Sequence, residues 1–159
     1  MMKVAGLLLL AAACTAVGLA ESRKLGERAA YLEGFLRFLT QAEAEIRYGM
    51  MPVREVVFSC RSQMELLDFC ASKLAAGVPF PSAWRQSAER FGGEDTQFLL
   101  DFGKGLGSTD LEGQLAHLQL YRKLAESRLK EARANRDQKG KLYRQLGVYG
   151  GIALALVLW

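Results

Sequence analysis

Residues 109–159 read TDLEGQLAHLQLYRKLAESRLKEARANRDQKGKLYRQLGVYGGIALALVLW and predict one long helix that runs from water into a membrane. Small or apolar side chains recur three or four residues apart, with one step of seven, as in a helix packed along a bundle: Leu111, Leu115, Leu118, Ala125, Leu129 and Ala132. No proline interrupts the stretch, and no side chain that is charged at neutral pH follows Arg144. The order of residues predicts a water-exposed helix, then a basic segment, then an apolar end.

The basic segment, which we call the collar, consists of Arg128, Lys130, Arg133, Arg136, Lys139, Lys141 and Arg144. Residues 128–144 carry a net charge of +5, whereas the whole chain carries +4. A nucleic-acid surface would be interleaved with a series of aromatic side chains, which this segment lacks. Because the collar adjoins an apolar tail, we interpret it as a surface for anionic lipid headgroups, at about 1 kcal/mol per basic side chain. A merely solvated charged face remains the alternative.

The N-terminal residues 4–20 carry no charge and are followed by Arg23 and Lys24. They fit a cleaved signal peptide with a small-residue site at 18–20, a lipoprotein signal ending at Cys14, or a short membrane anchor. We favour the anchor, because the second apolar end already indicates an integral membrane protein. Since basic residues collect on the cytoplasmic side of membrane spans, the domain is expected in the cytosol.

Residues 23–48 predict a second long helix with a heptad stripe. The stripe consists of Leu25, Ala29, Leu32, Leu36, Leu39 and Ile46. Its expected mate is the stretch 109–143, in antiparallel orientation, because both helices contact one membrane. Gly49 is predicted to close this helix in the left-handed conformation, and Pro52 to begin the next one.

Between the two long helices the sequence predicts four short ones, over 52–60, 62–76, 82–91 and 94–106. Ser82 is the expected cap of the third, Gly77 ends the second, and Thr109 with Glu112 is spaced as a capping box for the last long helix. No segment shows the alternation of apolar and polar residues that is typical of a β-strand. The predicted fold is all-α: an antiparallel bundle of about six helices over 22–144, flanked by membrane helices over 1–21 and 145–159.

No catalytic, cofactor or metal site is predicted. His117 lacks Cys, Asp or Glu at ligand spacing, and the three cysteines lack metal-ligand spacing, which favours small apolar roles in a reducing compartment. The glycines at 103, 105 and 107 follow no strand, so we expect them to end one helix and open the next rather than to bind phosphate. Trp84 and Phe91 are expected in the core. We therefore expect neither an enzyme nor a small-molecule substrate; a small membrane enzyme using His117 or Cys60 is the rival.

The segment 43–52, EAEIRYGMMP, is the most unusual and is called the tip. At about 1.5 Å per residue it lies some 35 to 40 Å from the membrane end of its helix. One interpretation is a corner in which the tyrosine packs and the glutamates are solvated. The other is a docking surface, in which acidic, aromatic and methionine side chains offer an adaptable contact. Its candidate partner-binding residues are Glu43, Glu45, Tyr48, Gly49 and Pro52.

In the order and spacing of these features, the chain resembles the stage III sporulation protein AB family of endospore-forming bacteria. The likeness covers essentially the whole chain, from a short N-terminal span to a long basic helix and a terminal apolar span. The residues that carry it are the run AEAEIRYG at 42–49, Pro52, Glu55, Trp84, Phe102-Gly103, Leu106-Gly107, Asp110 and Gln114. Met51 departs from the family, in which a threonine is expected before the proline.

The resemblance implies a six-helix cytosolic bundle similar to the cytoplasmic domains of the type II secretion inner-membrane platform protein. It also implies a non-enzymatic assembly role in the channel between mother cell and forespore, in the mother-cell membrane around the forespore. The implied partners are a sporulation secretion-type ATPase and other channel subunits. The alternative is an exported, envelope-facing interaction module with a cleaved signal peptide.

The C-terminal apolar span departs from what a membrane helix needs. Residues 146–159 cover about 21 Å as a helix, whereas the hydrocarbon core is roughly 30 Å thick. Snorkelling of Arg144 and local thinning of the bilayer would make up part of the gap. Otherwise the tail is an interfacial anchor.

Overall fold

The computed structural model describes the backbone of residues 2–157 and the side chains of 23, 24, 26–142, 145 and 149. Over this range the chain is helical and has no strand, which confirms the all-α prediction. The elements are α1 (Met2–Gly49), α2 (Val53–Ser59), α3 (Glu65–Ala75), α4 (Phe80–Phe91), α5 (Thr96–Gly105) and α6 (Leu111–Val157). Short 3-10 turns occupy Arg61–Gln63 and Gly93–Asp95.

The start of α6 differs from the predicted capping box. The carboxylate of Asp110 accepts a hydrogen bond from the backbone N–H of Gly113 at 3.0 Å, so Asp110 caps the helix. The hydroxyl of Thr109 instead accepts a hydrogen bond from the Gln114 amide at 2.9 Å. The predicted cap was therefore wrong by one residue, because Asp110 directly precedes the first helical residue and its carboxylate reaches a free N–H group of the first turn.

The start of α4 also differs. The helix begins at Phe80, and the carbonyl of Pro79 accepts the backbone N–H groups of Ser82 and Ala83 at 3.0 Å each. Pro81 lies in the first turn, where its missing N–H costs no helical hydrogen bond. Ser82 is therefore inside the helix and not its cap. Gly77, as predicted, ends α3 with a left-handed φ of 86°.

The chain divides into two compact units, Met1–Ala30 with Arg128–Trp159, and Tyr31–Ser127. In the first unit Ala29, Leu129 and Ala132 are buried, as the two stripes predict. The side chain of Leu25 lies outside the described residues, as do almost all those of the predicted anchors 1–21 and 145–159. Within the described part of the chain, no helix is both long enough and apolar enough to cross a bilayer.

In the second unit α1 and α6 pack along their predicted stripes. Leu32, Leu39 and Ile46 of α1 are buried, as are Leu118 and Ala125 of α6. The helices are antiparallel, since an α6 arginine at 122 bonds to residue 40 of α1 while the earlier glutamine at 119 bonds to residue 43. Leu36 and Leu115 of the stripes are partly buried, and Leu111 is 42% exposed because α6 only begins there.

The core of the second unit is an aromatic cluster centred on Phe102 of α5. Its ring lies 5.2 Å from that of Phe35, 6.1 Å from Phe38, 5.3 Å from Trp84 and 5.1 Å from Tyr121, measured between centroids. These contacts join α5 to α1, α4 and α6. The indole N–H of Trp84 donates to the carbonyl of Leu99 at 2.7 Å, which satisfies the polar atom of a fully buried ring. Trp84 is therefore a core residue, as predicted.

Gly103 lies inside α5, against Trp84, and not at a helix end as predicted. A Cβ atom at this position would overlap the indole ring. Gly105 is likewise covered by the imidazole of His117, which a Cβ would overlap. The glycines of this segment therefore allow close packing of α5 against α4 and α6, and only Gly107 takes a left-handed φ, of 82°.

We predict that Gly103→Ala lowers the free energy of unfolding by about 1–3 kcal/mol, because the core must shift to admit the methyl group. Chemical denaturation followed by circular dichroism measures the change. Gly140→Ala in α6 is the matched control, since nothing lies within 4 Å of its Cβ position. It should stabilise the chain by up to about 1 kcal/mol through helix propensity. Equal effects of the two substitutions would contradict the packing argument.

Candidate functional site

The tip forms where α1 ends and α2 begins. Met50, and not Gly49, takes the left-handed conformation, with a φ of 49°. The N–H of Met51 then reaches back to the carbonyl of Glu45 at 3.4 Å. Pro52 starts the next helix, with its carbonyl accepting the N–H groups of residues 55 and 56 at 2.9 and 3.1 Å. The prediction for Pro52 is thus confirmed, and that for the Gly49 cap was wrong.

The apolar side chains of the tip are unusually exposed. Tyr48 is 83% exposed, Met50 79% and Met51 40%. Tyrosine and methionine are enriched in protein–protein contacts because they combine large apolar surface with few polar groups to desolvate. The packed-tyrosine interpretation of this corner was therefore wrong, because Tyr48 points away from the core.

Glu43 joins α1 to α6. Its carboxylate pairs with Arg122 at 3.2 Å and with Arg47 at 2.8 Å, and accepts a bond from Gln119 at 3.3 Å. The other end of the Arg122 guanidinium donates to Thr40 at 2.6 Å. Only 18% of the glutamate side chain is exposed. Glu43 is thus a bridging group between two helices and not the solvated acid of the corner interpretation.

Glu45 joins α1 to α2. Its two carboxylate oxygens accept the hydroxyl of Ser59 at 2.8 and 2.6 Å, and one also accepts the Gln41 amide at 2.7 Å. Gln63 donates in turn to Gln41, so the chain of bonds continues into the turn before α3. Replacing either glutamate would therefore disturb helix packing as well as any docking surface.

The collar lies in the first unit, on α6. Lys130, Lys139 and Lys141 are exposed, and Arg136 pairs with the adjacent Asp137 at 3.5 Å. Arg128 and Arg133 have polar or charged partners. The side chain of Arg144 lies outside the described residues. The described collar thus keeps three lysines in contact with solvent along about three turns of one helix.

The residues with catalytic side-chain types are used structurally. The Nε2 atom of His117 lies 2.9 Å from the carbonyl of Phe102, and its ring stacks on that of Phe102 at 5.2 Å. Cys60 and Cys70 are buried free thiols, as predicted. Burial raises the pKa of Cys70 to about 11, against a smaller lowering by Ser87, and burial also raises that of Cys60. Over the described residues no three potential metal ligands cluster.

Gln114 is a structural residue that the sequence does not reveal as one. It is buried, its side-chain oxygen accepts the N–H of Gly107 at 2.8 Å, and its amide donates to Thr109. It therefore fixes the loop between α5 and α6. The only local signal in the sequence is a glutamine near the start of a predicted helix, and it does not identify the partner atoms.

Comparison with known proteins gave one family. The family model described as stage III sporulation protein AB matches residues 3–159. No curated protein and no solved structure matches the chain.

We predict that Met50→Gly raises the free energy of unfolding by about 1 kcal/mol, because a left-handed residue with a side chain costs about 1–2 kcal/mol and glycine avoids most of that cost. Thermal or chemical denaturation measures the gain. Met51→Gly is the matched control, since Met50 is the only non-glycine residue with positive φ in the described backbone. Stabilisation by Met51→Gly, or none by Met50→Gly, would show that the corner is not strained at Met50.

Proposed function

The chain belongs to the stage III sporulation protein AB family, and from that premise we propose that it is a non-enzymatic, membrane-anchored platform subunit of the channel between mother cell and forespore. Membership makes it a sporulation protein. We further propose that the helical bundle faces the cytosol and binds a secretion-type ATPase or other channel subunits through the tip. The collar, in this proposal, contacts anionic lipid.

The exposed side chains of the tip carry this proposal. Tyr48 and Met50 are four-fifths exposed, whereas the polar groups beside them are already bonded within the bundle. A strained backbone at Met50 holds this arrangement, and such strain is concentrated at functional positions. A partner that covers these side chains gains hydrophobic contact without breaking the bridges of Glu43 and Glu45.

We predict that the double variant Tyr48→Ala, Met50→Ala lowers spore yield without unfolding the bundle. Loss of a central aromatic anchor weakens a protein contact by about 2 kcal/mol, or roughly 30-fold in affinity. Heat-resistant spore counts measure the effect, and circular dichroism of the purified chain measures folding. Leu120→Ala on α6 is the matched control, because Leu120 is 54% exposed and lies outside the tip. A normal spore yield with the double variant would remove the tip from the proposal.

The membrane part of the proposal rests on the sequence. Residues 4–20 would span about 26 Å as a helix, and residues 146–159 about 21 Å, both below the roughly 30 Å of the hydrocarbon core. Snorkelling basic residues extend such short spans, and Arg23, Lys24 and the collar stand at the inner ends. We propose that these two ends hold the chain at the membrane and that the collar lies against the headgroups.

We predict that reversing three collar charges, Lys139→Glu, Lys141→Glu and Arg144→Glu, reduces the anionic lipid retained by the purified full chain. Each basic side chain contributes about 1 kcal/mol near an anionic surface. Mass spectrometry of bound phosphatidylglycerol against phosphatidylcholine measures retention. The matched control reverses three basic residues outside the collar that are exposed: Arg85, Lys104 and Lys123. Equal retention by both triple variants would contradict a specific role of the collar.

We predict that a cysteine at position 108 reacts with a membrane-impermeant thiol reagent only after cells are permeabilised. Ser108 is exposed, whereas Cys60 and Cys70 are wholly buried, so only Cys14 needs replacement. Labelling in intact cells would place the bundle outside and support the exported alternative. The mass of the intact chain then tells whether residues 1–20 have been removed.

A further inference from the structure

A groove lies along the exposed side of α3 and the end of α4. It measures about 720 Å³, within the range of pockets that bind ligands. Its lining consists of Arg61, Ser62, Met64, Glu65, Asp68, Phe69, Ser72, Arg90 and Phe91. Arginine, phenylalanine and methionine, the residue types enriched at protein interfaces, supply five of these nine side chains. The groove is separate from the tip, so the inference does not rest on the proposed role of the tip.

The floor of the groove is aromatic. The rings of Phe69 and Phe91 meet edge to face, with centroids 5.6 Å apart and an interplanar angle of 65°. Both side chains remain partly exposed. An apolar side chain placed on this floor would complete their burial, at about 25 cal/mol per Å² of apolar surface.

Two cations converge on the floor. The guanidinium carbon of Arg90 lies 4.9 Å from the centroid of Phe69 and 5.4 Å from that of Phe91. The ammonium of Lys73 lies 5.1 Å from the centroid of Phe69. Stacking on a ring occupies the face of a guanidinium and leaves its N–H edge available for a bidentate bond to a carboxylate.

Arg90 and Lys73 differ from Arg61 of the same groove in having no carboxylate partner among the described side chains. Asp68 pairs with Arg61 at 3.3 Å, and both Glu65 and Asp68 stand in the first turn of α3, which has no side-chain cap and favours acids. Among the side chains that the structure describes, no carboxylate pairs with Arg90 or Lys73. Arg90 and Lys73 therefore stand over the aromatic floor without a paired carboxylate, whereas Glu65 and Asp68 lie in the first turn of α3, at the other end of the helix from Lys73.

We propose that this groove binds a segment of a partner protein in which an apolar side chain stands next to a carboxylate. The apolar side chain packs on Phe69 and Phe91, and the carboxylate bonds to the N–H edge of Arg90, with Lys73 adding to the positive potential. A second copy of the chain bound groove to groove is not the favoured occupant, because the cations of the two floors would then face each other.

The test uses the full chain in sporulating cells, with a photo-crosslinking amino acid in place of Ser72. Ser72 lines the groove and is exposed, and its hydroxyl bonds only to the carbonyl of Phe69, so the substitution leaves the core intact. We expect a crosslink to another protein, and peptide mapping should place it within a few residues of an Asp or Glu beside an apolar residue. Arg90→Glu should reduce the crosslink at least tenfold.

The matched control is Arg85→Glu, which makes the same charge change on the same helix outside the groove and should leave the crosslink unchanged. Arg90→Lys should give an intermediate yield, because lysine keeps the charge and loses the bidentate geometry. No crosslink, a crosslink to a second copy, a crosslink to a basic or wholly polar segment, or equal effects of the two Glu variants would each overturn the proposal. Normal spore counts with the tip variant and loss of the Ser72 crosslink with Arg90→Glu would separate this groove from the tip.

Discussion

The packing of Phe102 determines how the helices of residues 31–127 meet. Its ring contacts aromatic rings from three other helices, at centroid distances of 5.1–6.1 Å. Such contacts need the backbone of α5 to approach its neighbours closely, and this is possible because Gly103 and Gly105 present no Cβ to Trp84 and His117. Burying a phenylalanine ring contributes about 1.5–3 kcal/mol, and each favourable ring pair adds about 0.5–1.5 kcal/mol. These contacts hold α5 against α1, α4 and α6 from inside the bundle.

At the tip, some side chains stabilise the fold through bonds to neighbouring helices, and others make no such contact. Glu43 and Glu45 look alike in sequence, but each bonds to a different neighbouring helix, and because they are two residues apart they cannot share one face of α1. With the polar groups bonded inwards, Tyr48 and Met50 are left outside. The left-handed backbone at Met50 ends α1 and lets the N–H of Met51 reach the carbonyl of Glu45 at 3.4 Å. The exposed apolar side chains of the corner, rather than its acidic ones, are therefore available to a partner.

The sequence is sufficient to predict the long helices, but it is not sufficient to predict the residues at which they begin and end. A stripe such as Leu32, Leu39 and Ile46 requires a long packed helix whatever its neighbours are, so periodicity alone predicts it. The cap of α6 depends on whether Thr109 or Asp110 reaches a free N–H, and both residue types are good caps, so only the folded backbone decides. Exposure at the tip was less predictable still. It depends on the bridges to residues 59 and 122, which are distant in sequence and leave no periodic signal near position 48.

Several residues that carry the likeness to the family have structural explanations in this fold. Gly103 admits Trp84, Asp110 caps α6, and Gln114 fixes the loop before it. Any sequence that builds this bundle in this way needs those residue types at that spacing, so the pattern identifies the fold and its family without identifying what the bundle touches. Information about partners must lie in side chains that packing does not require. On the described surface these include Tyr48 and Met50 at the tip and the cation-flanked rings of Phe69 and Phe91. The assembly role proposed above would need such surfaces to be separate, and these two lie on different helices.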